Sequence, residues 1–345
     1  MSNIQSLPPP QQHSAAWYGP DMARREAEWL YCLSAREVRE LENAAEPWIN
    51  LPDGLTAIGA DAFKLPTLGV KLLALRQELI HGRGFGMLRG LPIERYTEHQ
   101  IQLIFRGLGS HLGMARSQNA QGHLLGHVRD LGLSSQDPGV RVYQTNERQT
   151  FHTDSADVVG LLCLTNAMSG GDSLLVSSST IFNELRQQCP ELLSLLLQPV
   201  ATDRRGEVSV GQAPYFLIPV FSYYKHHLTA IYQRQYIDSA QRFSDAPRLS
   251  EQQLQALDRF DGLANNPELH FSMRLAPGDM QFVYNHALLH DRTAFEDWPE
   301  PQRKRHLLRL WLAVPGDRPL PACFAARYGS LEIGKRGGVM TGQSG

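Results

Sequence analysis

Phe151-His152-Thr153-Asp154-Ser155, read together with a distant His290, is the stretch that decides the fold. Two imidazoles and one carboxylate on one side of a metal leave its other positions open, the donor set of non-haem Fe(II) sites. His152 and Asp154 stand two residues apart, so at the end of an extended strand both side chains point the same way. The third donor then has to come from a strand far away in sequence, which a β-rich core supplies. Alone, H-x-D is a weak signal.

Working outward, runs of apolar or alternating residues bounded by turns read as strands. They are Phe85–Arg89, Val140–Thr145, Val158–Thr165, Leu174–Ser177, Leu228–Tyr232, His270–Leu275, Met280–Tyr284 and Leu307–Val314, with Ala276-Pro-Gly-Asp279 as a turn between two of them. Helices are expected after Ser34, whose partner Glu37 completes a capping box, over 68–80, over 98–112 up to Gly113, over 180–188 and from Ser250 to Phe260. Helices come early and in one insert, and strands dominate the middle and the end. That order predicts a mainly β fold with flanking α, a double-stranded β-helix or jelly roll with N-terminal helices, rather than a βαβ fold.

The chain has 345 residues, 42% hydrophobic and 20% charged, with a formal net charge of −2. Such a composition fits an ordinary soluble globular protein. The near-neutral charge speaks against a nucleic-acid partner, which needs a concentrated basic surface. No apolar run approaches the roughly 18 residues of a membrane span; the Leu192–Leu197 cluster is short and broken by Ser194. Cys32, Cys163, Cys189 and Cys323 show no paired spacing, so a cytoplasmic location is expected. The expected organisation is a disordered or extended tail over 1–20, one catalytic domain over 21–328 with an insert at about 199–267, and a Gly-rich tail over 329–345, mobile unless it closes over something. Whether copies associate as a homo-oligomer is open.

Four motifs in fixed order carry a family resemblance. His152-Thr-Asp154, Gly170-Gly171-Asp172-Ser173, Asn285 to His290 and Arg305-x-x-x-Arg309 together resemble the taurine dioxygenase family of Fe(II)/2-oxoglutarate oxygenases, within the clavaminate synthase-like group. The resemblance runs from about Phe85 to Val314 and is weakest over Pro199–Pro267. It implies His152, Asp154 and His290 as ligands of Fe(2+), with 2-oxoglutarate and O2 as co-substrates. It further implies that Ser173 touches 2-oxoglutarate and Arg305 grips its distal carboxylate, with Arg309 near the C1 carboxylate or the substrate. The implied reaction is oxidative decarboxylation of 2-oxoglutarate to succinate and CO2, coupled to oxidation of a small organic substrate, most simply its hydroxylation. Arg148 and Phe151 stand where taurine dioxygenases meet the sulfonate, so taurine is not the expected substrate.

Other readings of the same residues stay beside this one. A zinc hydrolase could use the same three ligands, though with no use for Arg305, and a cupin-like protein could bind metal or a 2-oxo acid without turnover. His286 sits four residues before His290, a metal-binding spacing on a helix, but the β-rich run before it argues against a helix there. Arg309, inside an apolar run, needs a partner: the site, or Glu296 or Asp297. For the substrate, the expectations are Gln144, Asn146 and Arg148 leading into the metal motif, Asp157 just past it, and Arg204 or Arg205 in the insert. Those arginines point to an anionic substrate.

Overall fold

The computed structural model describes residues 7–339 apart from Ala120, Pro138, Ser209 and Val210. Alternation in the last long strand, His306–Ala313, sets the layers. Its even-numbered leucines, Leu308, Leu310 and Leu312, pack outward against helices Leu68–Ile80 and Glu98–Leu112, while Leu307 and Trp311 point into the space between two sheets. Successive strand side chains take opposite faces, so Arg309 shares the inner face with Leu307 and Trp311.

The larger sheet has seven strands. From one edge it runs Leu30–Cys32, Phe85–Arg89, Met280–Tyr284, Val158–Thr165 and His306–Ala313, with Met114–Ala115 and Leu125–Val128 both on the far edge. Only the first pairing is parallel. The smaller sheet runs His270–Met273, Ser173–Ser177, Leu288–Arg292 and Gln149–His152, all antiparallel. Both sheets are open, and their facing sides share Trp17, Trp29, Phe85, Leu175, Phe271, Val283 and Leu288. Helices Ser178–Gln188, Pro190–Leu196 and Glu251–Ala264 cover the back of the smaller sheet through Phe182, Leu185, Leu193, Leu257 and Phe260. The result is the expected jelly roll with helices on both flanks.

One expectation is corrected, and the two tails take one of the courses left open for them. Val140–Thr145 is not a strand: Val142–Gln144 forms a single 3-10 turn, closed by Gln144 Oε1 accepting the Arg141 N–H at 3.0 Å. The segment before residue 20 is extended but docked. Gln11 exchanges hydrogen bonds with Asn183, and Trp17, 6% exposed, donates to the Arg83 carbonyl at 2.9 Å. The Gly-rich end closes over the molecule as far as Val339. Arg336 is fully buried, its guanidinium 2.7 Å from both Asp157 and Asp317. Residues 1–6 and 340–345 of the two tails lie outside the described residues. Among the described residues no helix is long and apolar enough to cross a membrane.

Candidate active site

His152 ends the edge strand Gln149–His152 of the smaller sheet, and His290 is its direct cross-strand partner on Leu288–Arg292. Their rings lie 4.2 Å apart between centroids. The turn after His152 then brings Asp154 round, so that its oxygens stand 3.9 Å from His152 Nε2 and 3.8 Å from His290 Nε2. Asn285 fixes that turn. Its side chain accepts the Asp154 N–H at 3.0 Å and donates to the Ala156 carbonyl at 3.0 Å.

The neighbours of these three side chains set their protonation. His152 Nδ1 donates to the Thr150 carbonyl at 2.8 Å, which leaves the Nε2 lone pair to accept, here from the Gln149 side-chain amide at 2.8 Å. Burial lowers the His152 imidazole, and burial together with the nearby His152 pushes His290 down to about 3. Burial alone would raise Asp154, but Arg309, both imidazoles and the Trp311 N–H, 2.7 Å from Oδ2, hold it down. Two neutral imidazoles and an ionised carboxylate are the form a divalent metal needs. His290 Nδ1 is buried with no hydrogen-bond partner among the described residues.

Beside the triad lies a cleft whose walls include Ser173, Arg292, Arg305, Leu307 and Arg309. Among the described residues the Arg305 guanidinium, on a residue 5% exposed, hydrogen-bonds only to the Gly171 carbonyl at 3.3 Å, and its Nη1 has no hydrogen-bond partner. Arg292 is buried next to it with Nε and Nη1 unpartnered, and both guanidiniums lie over the Phe295 ring. Burial and mutual repulsion push Arg292 to about 9, and burial pushes Arg305 to about 10. Leaving buried cations unpaired costs several kcal/mol each, on the order of 3–5. The cleft is thus built for an anion. Ser173 is the cross-strand partner of Arg292, and its Oγ donates to Gln281 Oε1 at 3.0 Å. Gly171 is required: its φ is +75°, and a Cβ there would lie 2.7 Å from Arg305 Nε.

The substrate expectations fare less well. Gln144 lines a second, larger cavity in front of Asp154. Asn146 is exposed, and its carbonyl accepts the Phe295 N–H at 3.1 Å. Arg148 is spent on Asp291, 2.6 Å away, and on Asn265. Asp157 pairs an arginine rather than meeting the substrate: it is outside the cavity wall, in a network with Arg336, His286 and the Val314 N–H. Arg204 stacks on Phe216 and donates to the Ala213 carbonyl, while Arg205 donates to backbone carbonyls of Asp137 and Val140. The arginines in the cavity wall are instead Arg141, Arg309 and Arg327. Arg309 does not pair with Glu296 or Asp297: Nε donates to Gln118 Oε1 at 2.7 Å and Nη1 lies 3.6 Å from Asp154. Arg292, two residues after His290 on the same strand, belongs to the segment expected to offer a cation for the co-substrate's far carboxylate, although no motif spacing singles it out. Arg141 and Arg327 carried no motif.

Residues 50–311 match the family described as taurine catabolism dioxygenase TauD, TfdA family. The chain belongs to that family. It is 38% identical over 318 residues to FR-33289 synthase of Streptomyces rubellomurinus, covering 90% of this chain and 92% of that protein. A uridine-5'-phosphate dioxygenase of Amycolatopsis is 29% identical over 178 residues, 50% of this chain and 63% of that one. Among solved structures, an asparagine oxygenase in complex with Fe(II), 3-hydroxyasparagine and succinate shares the fold. Its TM-score is 0.64 at 17% identity, covering 82% of this chain and 93% of that one. This TauD/TfdA member is therefore an Fe(II)- and 2-oxoglutarate-dependent dioxygenase acting on a small organic molecule. The zinc-hydrolase and non-catalytic readings give way to it.

Proposed function

We propose that His152, Asp154 and His290 hold the Fe(II), and that Arg305 and Arg292 together receive the distal carboxylate of 2-oxoglutarate, with Ser173 beside them. The observation that carries this reading is one juxtaposition. Three donor groups from separated parts of the chain converge within 4.8 Å of one another, next to two buried guanidiniums with N–H groups that find no hydrogen-bond partner among the described residues. The donor chemistry fits ferrous iron, and the unpartnered N–H groups fit a dicarboxylate.

Fe(II) and 2-oxoglutarate held there would activate O2, the oxidant, for attack on an unactivated C–H bond while 2-oxoglutarate is oxidised to succinate and CO2, and the chain's own residues do the rest. Trp311 and Asn285 orient Asp154 from its side chain and its backbone. Thr153 locks the same turn to the insert, its N–H donating to the Tyr232 carbonyl at 2.9 Å and its hydroxyl accepting the Tyr232 N–H at 3.0 Å. Val128, Leu161, Leu275 and Leu307 line the co-substrate cleft and keep water from it. Arg309 borders both cleft and cavity, where it neutralises negative charge gathered around Asp154. The substrate lies in the cavity of about 340 Å3 in front of Asp154, lined by Gln144, Gln149 and Gln233 among others. Hydroxylation is the simplest outcome. Four unpaired cysteines suit the cytoplasm as its location.

Anaerobic addition of Fe(II) and 2-oxoglutarate should give a weak visible absorption band from the bidentate iron–oxo-acid complex. Admitting O2 should then release succinate, faster with the right substrate. No band at saturating concentrations would defeat the ligand and co-substrate assignments together.

A further inference from the structure

The cavity in front of Asp154 holds a charge arrangement that the iron and co-substrate seats do not use. Arg141 enters from the 3-10 turn before the metal motif, Arg327 from the short helix Ala325–Tyr328, and Glu207 from the loop after strand Pro199–Asp203. Arg141 Nη2 lies 2.7 Å from one Glu207 oxygen, and Arg327 Nη1 lies 2.9 Å from the other. One carboxylate thus bridges two guanidiniums, an oxygen to each. The trio carries two positive charges against one negative.

Neither guanidinium depends on Glu207 for its position. Arg141 also donates to the Tyr236 hydroxyl at 2.5 Å and to the Arg205 carbonyl at 3.1 Å. Arg327 Nε donates to the Ser155 hydroxyl at 2.5 Å, and Ser155 follows Asp154 in the chain. All three charged side chains are mostly buried, and the rest of the cavity wall is rich in amides, Gln118 and Gln233 among them. Guanidiniums recognise paired oxygens of carboxylates and phosphates through their fork of donors.

We propose that Arg141 and Arg327 form the receptor for an oxyanionic group of the substrate, which takes the seat that Glu207 fills, and that a doubly charged tetrahedral oxyanion suits it best. Glu207 itself demonstrates that two oxygens on one centre span the gap. Two guanidiniums released from Glu207 present two positive charges, which a phosphate ester or phosphonate matches and a carboxylate or sulfonate half matches. The seat opens to Asp154 across the same cavity, so the anion anchors one end of a small molecule whose other end reaches the reacting centre. This assignment rests on the proposed function for which end reacts, but not for whether the anion binds.

The test uses the metal-free full-length protein, with quenching of tryptophan fluorescence as the readout, since Trp311 lines the cavity. Methylphosphonate, methanesulfonate, acetate and tetramethylammonium are titrated separately at mildly alkaline pH. Methylphosphonate should bind tightest of the four. Arg141→Gln and Arg327→Gln should each weaken it about 10- to 100-fold, the worth of one charged hydrogen bond. Glu207→Gln should strengthen it several-fold by removing the internal competitor, and Arg141→Lys should weaken it less than Arg141→Gln. Arg305→Ala should leave it unchanged, because that residue serves the co-substrate cleft. Equal affinity in wild type and both glutamine variants would overturn the proposal. So would loss of methylphosphonate binding in Arg305→Ala, or a preference for tetramethylammonium that Glu207→Gln abolishes. Since no iron is present, these outcomes are independent of the visible band that tests the proposed function.

Discussion

His286 and His290 are four residues apart, and only their surroundings separate them. His290 Nε2 faces Asp154, whereas His286 is fully buried with Nε2 2.9 Å from Asp157 and 3.8 Å from Asp317. Arg336 already occupies the space between those two carboxylates, so a guanidinium stands where a cation could otherwise sit. His290→Ala should abolish Fe(II) binding, while His286→Ala should keep it and lower the unfolding temperature; equilibrium dialysis with a thermal melt checks both. Trp311→Phe removes the hydrogen bond to Asp154 together with part of the ring that lies against Arg309, and should cost about 10- to 100-fold in Fe(II) affinity, as loss of an outer partner does. Arg305→Ala should raise the concentration of 2-oxoglutarate needed for half-saturation about 30-fold or more, corresponding to about 2–5 kcal/mol for truncating one side of a buried charge pair. Iron binding should persist in that variant, and unchanged co-substrate affinity would defeat the assignment. The roles of His290 and Arg305 are those that the family resemblance implies. Arg292 stands in the segment that offers such a cation, but only its burial beside Arg305, with Nε and Nη1 unpartnered among the described residues, singles it out.

At the scale of elements, local signals hold where the element makes its own hydrogen bonds. The capping box at Ser34 and Glu37 forms as its spacing predicts, and the structure adds another at Thr97 and Gln100. Glu37 also pairs with Lys71 at 2.9 Å and accepts from Tyr31 and Ser34. Burial alone would raise its carboxyl, but these contacts overcome it and hold the group at about 2. A carboxyl lowered from 4.5 on folding stabilises the fold above that pH and loses the contribution as pH falls through about 2. Glu37→Gln should therefore lower stability at neutral pH, by about 1 kcal/mol from the cap alone, and flatten the acid limb between those values; urea melts across that range would show it. Val140–Thr145 failed as a strand because its apolar residues meet no neighbouring strand, and the turn at Val142–Gln144 satisfies the backbone instead. Leu288–Arg292 is the opposite case. Its every residue is buried, so the alternation that marks a one-sided strand is missing, and its identity comes from its two neighbours in the sheet.

Over the whole molecule, the C-terminal segment ties the back of the metal-bearing turn to the end of the chain. Arg336 links Asp157 and Asp317, and the N–H groups of Gly338 and Val339 donate to the carbonyls of Ser155 and Ser117 at 2.7 and 2.9 Å. Arg336→Ala leaves two buried carboxylates without their cation and should destabilise the protein by about 3–5 kcal/mol. Chemical unfolding measures that directly. Arg336→Lys should recover only part of it, since one ammonium cannot reproduce the fork that meets both acids. The insert is tied down at the same place from the other side, through Tyr232 on Thr153. The turn carrying Asp154 is therefore braced by both the insert and the chain end.

The amino-acid sequence by itself determined the periodicity of the long strands, the caps of the helices and the residue types of the iron and co-substrate seats. Each of those depends on neighbours within a few positions or on a side chain's own chemistry. Tertiary structure alone decided which arginines face a cavity and which are spent on carbonyls, and it turned Asp157 from a presumed substrate contact into the partner of Arg336. It also brought Arg141, Glu207 and Arg327 together from three remote segments. Charge pairing acts through space over a few ångströms, so no local pattern along the chain records it.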